Sequence, residues 1–340
     1  MVEVIASSPQ EFVAAPKTSK KYFSLIDRIP LEEIKKCEST PRTIQQIFKG
    51  LQTAMHNKEK LNPLLLVGPE QIINTILHEK CVNGHSKEST AQLNNLLEEA
   101  VSVALSVFNQ KDVRIELERL QLHLNQYNQG DLFKRTVSQR LSTDKSVAFT
   151  GHRSEQAAKK IIEETGGEDI MFMALSPGST GLAIDVYLRY LDMARQRRKG
   201  LSKFLPHNSS IYFAWVAHSG PQRMPILRLP HADIEELRER VGLEEETVDH
   251  NQPFSLRKAL ARAKARKEGK EKPKTVVIFN DILSTGRTME MALIYTKKIV
   301  FGLYNGRNKE LNILPLTNYD LRPRQAILSA SHYKNLETQE

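Results

Sequence analysis

The chain has 340 residues, 40% of them apolar and 26% charged, with 49 Lys and Arg against 40 Asp and Glu for a net charge of +9. That length allows two domains, and that balance is one of a folded chain with a sizeable core rather than a disordered one. It excludes a membrane-spanning or disulfide-built protein: no uninterrupted apolar run reaches the roughly 20 residues that cross a bilayer, and two cysteines, Cys37 and Cys81, support neither a disulfide framework nor a zinc site.

The start, Met1-Val2-Glu3-Val4-Ile5-Ala6, lacks the basic and apolar blocks of a secretion signal, so a cytoplasmic location is expected. Residues 1–20, with Ser7-Ser8-Pro9 and Pro16-Lys17, read as a loose arm. Residues 21–140 read as a helical domain. Leu31-Glu32-Glu33-Ile34 comes after a proline, Thr43 to Phe48 has helical spacing, and Leu93, Leu96, Leu97, Ala100, Val101, Ala104 and Leu105 form one apolar stripe. Ile115, Leu117, Leu120, Leu122 and Leu124 continue it. Asn62-Pro63, Asn83-Gly84-His85 and Asn128-Gln129-Gly130 punctuate it. His56, His78, His85 and His123 show no ligand spacing. The region is open to three roles: capping the second domain, forming a homodimer, or binding another partner.

From about residue 145 the pattern changes to alternating strands and helices. Ser146 to Ser154 reads as an extended piece that enters a helix at Glu155, with Ser154 as its N-cap. Glu168 to Leu175 is a buried strand. Ser176-Pro177-Gly178-Ser179-Thr180-Gly181 then turns into a helix opened by Leu182 to Leu188. Such a turn offers unobstructed backbone N–H groups to a phosphate, and the same residues equally suit a plain tight strand-to-helix turn. Ser210 to Ala217 and Met224 to Leu229 are two strands joined by the hairpin turn His218 to Arg223.

A basic, alanine-rich stretch comes after them, from Arg257-Lys258 to Lys274. It reads as a solvated helix and linker. It can also raise the local concentration of a polyanion, or contact nucleic acid, although no aromatic residue interleaves with it to stack bases. Next, the β-branched run Thr275 to Phe279 ends in Asn280-Asp281, succeeded by Ile282-Leu283, the turn Ser284-Thr285-Gly286-Arg287-Thr288 and a helix from Met289. Backbone N–H groups at that helix start, with the Ser284, Thr285 and Thr288 hydroxyls, suit a phosphate, and Asp281 suits two vicinal ribose hydroxyls. Leu311 to Leu316 makes a closing strand, and residues 331–340 a tail.

The Thr275–Thr288 segment resembles the phosphoribosyl-pyrophosphate (PRPP) loop of type I phosphoribosyltransferases: apolar strand, two acids, two variable residues, then Ser/Thr-x-Gly-x-Thr. Asp281, Thr285, Gly286 and Thr288 match, and Asn280 stands where the family has its first acid. The order of elements over residues 145–330 is similar to the family core. The resemblance implies an α/β fold, a parallel sheet flanked by helices after the helical domain. It implies transfer of a phosphoribosyl group from PRPP to a nitrogenous base, with pyrophosphate released. It further implies Mg2+ held weakly by Asp281, catalytic roles for Asp281 and Asn280, a pyrophosphate loop at Ser176 to Gly181, and accessory cations at His218 and Arg223. His152 and Arg153 fall where the family has a base-recognising hood. Nucleoside monophosphates are the related ligands. Because Asn280 brings no charge, a non-catalytic sensor of PRPP or nucleotide stays open beside the enzyme, as does a nucleic-acid-associated regulator.

Overall fold

The computed structural model describes residues 22–56, 62–82, 87–127, 131–137, 151–176, 178, 180–197, 209–219, 224–228, 275–283, 287–297 and 312–320. Its first part is helical: α1 (Leu31–Ser39), α2 (Ile44–His56), α3 (Leu64–Val82), α4 (Lys87–Phe108), α5 (Arg114–Gln126) and the short α6 (Asp131–Lys134). The exception is a small antiparallel ladder that pairs β1 (Arg42–Thr43) with β2 (Thr136–Val137). Local chemistry sets several boundaries. Thr43 and Gln46 form a reciprocal cap at the start of α2, each side chain accepting the other's backbone N–H, at 3.1 and 2.8 Å. Gly68 lets α2 approach α3, because a Cβ there would meet Ile47 at 3.1 Å and Leu51 at 3.2 Å.

The second part is α7 (Gly151–Thr165), β3 (Ile170–Ser176), α8 (Thr180–Arg197), β4 (Ser210–Ser219), β5 (Met224–Arg228), β6 (Thr275–Leu283), α9 (Arg287–Tyr295) and β7 (Asn312–Asp320). Gly166, at φ +68°, ends α7 by donating to the Ile162 carbonyl at 2.9 Å. The strands form one sheet in the order β5-β4-β3-β6-β7. β4, β3, β6 and β7 are parallel, and β5 runs antiparallel to β4.

Every residue of β3 is buried, as expected of a strand covered on both faces. The pleat divides these residues between two cores. Phe172 and Ala174 of β3, with Val277 and Phe279 of β6, belong to a large cluster that takes in α7, α8 and the N-terminal helices. Met171, Met173, Val276 and Ile278 belong to a second cluster, with Met289, Ala292 and Leu293 of α9. Helices therefore cover both faces, α8 on one and α9 on the other. Buried side chains from Leu25 to Leu316 make a single apolar body with the first face.

Three sequence expectations change. β6 does not stop at Asp281; it continues to Leu283 because β7 runs beside it, with Ile282 opposite Tyr319 and Leu283 opposite Asp320. α7 begins at Gly151, not Glu155, so Ser154 is inside the helix, fully buried, and its hydroxyl has no hydrogen-bond partner among the described residues. His218 lies in β4 opposite Pro225, before the hairpin turn rather than in it. The basic stretch from Arg257 to Lys274, the arm of residues 1–20 and the tail of residues 331–340 lie outside the described residues. Among the described residues no helix is long and apolar enough to cross a membrane.

Candidate functional site

The strand order contains a reversal. From β3 the chain passes through α8 to β4 on one side, and from β6 through α9 to β7 on the other. β3 and β6 are neighbours, so their outgoing connections diverge over opposite faces of the sheet. In doubly wound sheets the crevice outside the carboxyl ends at such a reversal is where ligands bind. Both loops singled out in the sequence leave the sheet there: Ser176–Gly181 after β3 and Ser284–Thr288 after β6. Ala174 pairs with Phe279, so two residues further along each strand Ser176 and Asp281 stand level.

On the β6 side, Asn280 is 8% exposed and sits opposite Thr317, which is fully buried. By strand alternation it shares the face of Val276 and Ile278 beneath α9. An amide there is neutral, which suits burial better than a second carboxylate. Asp281 is the next residue of the same strand. Arg287 opens α9, and Thr288, half-buried, is in its first turn. The side chains of Asp281 and Arg287 lie outside the described part, as do Ser284, Thr285 and Gly286.

On the β3 side the two described hydroxyls are engaged. The Thr180 hydroxyl donates to Asn74 Oδ1 of α3 at 2.7 Å and lies 2.8 Å from Ser176 Oγ. Ser176 and Thr180 are both buried, as is Gly181, and Gly178 is half-buried. Pro177 and Ser179 are outside the described residues, as are Arg223 and the His218 side chain. The His152 side chain is outside them too, while Arg153 is half-buried in the first turn of α7.

Sequence reasoning missed the contribution of α3. Its Asn74 reaches Thr180, and its His78 stands edge-on to Trp215 of β4, with ring centroids 5.1 Å apart. Burial, with Arg135 adding to it, holds the His78 imidazole below its ordinary pKa against a smaller opposing effect of Glu79. The available signal was a set of uncharged polar residues, Gln71, Asn74, Thr75 and His78, at spacings of three and four in a helix that also carries Glu70, Glu79 and Lys80.

A second polar centre ties the chain's beginning to α8. Asp185, fully buried, accepts from the Tyr22 hydroxyl at 2.8 Å and from Arg189 Nε at 2.9 Å, while Arg189 reaches Asp27 at 2.7 Å. Burial works against the Arg189 charge, but the two carboxylates raise its pKa overall, and burial next to Asp185 raises the Tyr22 phenol. Neither Cys37 nor Cys81 forms a disulfide. Among the described residues no group of three or more His, Cys, Asp or Glu is placed to hold a metal.

The sheet and its crossovers define an α/β protein, four parallel strands flanked by helices, and most of the other described residues are helical. Comparison with protein-family models gives no match, and comparison with curated proteins gives none.

Proposed function

We propose that the β3/β6 crevice binds the ribose 5-phosphate portion of PRPP or of a nucleoside 5′-monophosphate, and that the protein is a type I phosphoribosyltransferase-like enzyme. The observation that carries this reading is the position of the Asn280–Thr288 segment. It leaves the carboxyl end of a central parallel strand beside the sheet reversal and leads into the N-terminus of α9. In this reading the backbone N–H groups from Ser284 to Thr288 hold the 5′-phosphate, and the Asp281 carboxylate accepts from the ribose hydroxyls. A nitrogenous base then attacks C1 of the ribose, and the C1–oxygen bond to pyrophosphate breaks. The bonding electrons leave with the pyrophosphate.

Magnesium fits this reading as a substrate-borne ion. Asp281 supplies one carboxylate and the buried Asn280 none, which agrees with an ion held mainly by substrate oxygens. When bound, the ion would offset the charge that builds on the pyrophosphate. The phosphate grip at Ser284–Thr288 stands without it. Calorimetry with PRPP and ribose 5-phosphate tests the reading, on wild type and on Thr285→Ala and Gly286→Val. The expectation is a clear loss in both variants, and equal affinity in all three removes the loop from the site.

A second reading, a non-catalytic sensor of PRPP or nucleotide, is favoured by the Ser176–Thr180–Asn74 contacts. Of the hydroxyls in the expected pyrophosphate loop, Thr180 is spent on Asn74 of α3 and Ser176 on Thr180. Pyrophosphate release from PRPP across a panel of bases separates the two. Binding without release in any member selects the sensor.

A further inference from the structure

α5 buries Leu117, Leu120 and Leu124 on one side, where it packs on α2, α4 and α6. Its opposite side carries Ile115 and Leu122, which are 79% and 54% exposed. Among the described residues five large apolar side chains are exposed, and these two share one stripe. Seven residues apart, they lie two turns and about 10.5 Å from each other along the axis. Glu118 and Arg119, both exposed, stand between them on the same side, at spacings of three and four. Arg119 is held there by its own chain. Its Nε and Nη2 donate to Glu99 Oε1 at 3.1 and 2.8 Å, and the other Glu99 oxygen is 2.9 Å from His123 Nδ1. The guanidinium keeps its Nη1 donors for a second carboxylate, and the side chain is 55% exposed.

This stripe is complementary to itself in one orientation. When two copies of α5 lie antiparallel about a two-fold axis between Glu118 and Arg119, Ile115 of one copy faces Leu122 of the other. Glu118 likewise faces Arg119 of the other copy, and symmetry makes each contact twice. Laid parallel, the same stripe sets Glu118 against Glu118 and Arg119 against Arg119. Charge therefore selects the antiparallel arrangement. The helix also suits a second copy of a basic chain. Its two Arg, at 114 and 119, balance its two Glu, at 116 and 118, whereas the whole chain has a net charge of +9. The helix itself thus adds no repulsion between copies. We propose that the Ile115–Leu122 face of α5 is where two copies of this chain associate, as an antiparallel two-fold helix pair. One helix per copy makes a small contact, so the dimer is weak and concentration-dependent.

The test is sedimentation equilibrium on the full chain from about 5 to about 500 µM, the range of weak association. Wild type is expected to pass reversibly from monomer to dimer. Ile115→Glu and Leu122→Lys should each weaken the dimer roughly tenfold, since each puts a charge against an apolar side chain. Combined in one chain, the two substitutions should regain association, because the new carboxylate of each copy then faces the new ammonium of the other. The substituted side chains are exposed, so the variants should melt as wild type does. Glu118→Arg, which opposes Arg119 of the second copy, supplies an independent break if one of them does not. A wild type that stays monomeric throughout overturns the proposal and leaves the face to another occupant. A dimer undiminished in folded Ile115→Glu and Glu118→Arg overturns it as well. Loss in both single variants with no recovery in the double overturns the antiparallel pairing.

Discussion

Thr180 gives its one hydroxyl proton to Asn74 Oδ1 at 2.7 Å, so in the 2.8 Å contact between hydroxyls Ser176 must be the donor. A directed chain therefore runs from the end of β3 through the first residue of α8 into α3, all three residues being buried. Asn74→Val removes the final acceptor and leaves the Thr180 hydroxyl proton without the carbonyl it bonds. The expected loss is about 1–3 kcal/mol, read as a lower urea midpoint at unchanged slope. The triple variant Asn74→Val, Thr180→Val and Ser176→Ala should recover part of it, since it removes every member of the chain.

Asp185 holds two partners from a fully buried position, and the Arg189 side chain is itself only 10% exposed. Asp185→Ala should cost about 3–5 kcal/mol, because it strands a cation in the interior. Adding Arg189→Met should restore a measurable fraction of the midpoint. A single variant as stable as wild type would mean that Asp27 alone satisfies the guanidinium.

The depressed His78 imidazole makes a pH prediction. Its folded-state pKa lies below its ordinary value, so the unfolded chain takes up the proton first as pH falls. The neutral ring's contribution is complete above about pH 6.5 and is lost as pH drops through the lower folded-state value. Stability measured from about pH 7 to about pH 5 should therefore fall less steeply in His78→Phe, which keeps an aromatic ring against Trp215, than in wild type. Parallel slopes would show that His78 is not a source of the dependence.

Asn280→Asp places a carboxylate where the amide is 8% exposed, opposite Thr317. Burial of the charged form raises such a carboxyl above its unfolded pKa, so the variant should be less stable than wild type at neutral pH. The gap should close as pH falls below the raised value. Chemical denaturation at both pH values checks this, and a variant of unchanged stability would mean that the position takes up charge freely.

Much of the α/β half was legible because its strands are built from β-branched, aromatic and methionine side chains bounded by turn residues. Phe172 to Leu175 and Val276 to Phe279 are examples. What the sequence hid was which side faces which layer. With both faces buried, period-two alternation does not separate Phe172 from Met171, and only the helices packed above and below do so. The end of β6 was misplaced because its last residues are held by β7, about forty positions away. The crevice was legible only as two separate loops. Their adjacency depends on β6 inserting beside β3, a long-range pairing that no local pattern encodes. Asn74 and Asp185 carry no motif, and each acquires meaning from a partner far along the chain.

The apolar body shared by the N-terminal helices and the sheet has a consequence for synthesis. Tyr22 waits for Asp185, 163 residues later, and Asn74 for Thr180, 106 residues later. At roughly 5–20 residues per second the longer wait lasts about 8 to 33 s. During that interval the emerging helices carry part of an apolar cluster, Leu66, Val67 and Ile73 among its members, whose residues from β3 and β6 have not yet been made. The first half of the nascent chain is thus the part most in need of shielding on the ribosome, and its final packing waits for the second half to emerge.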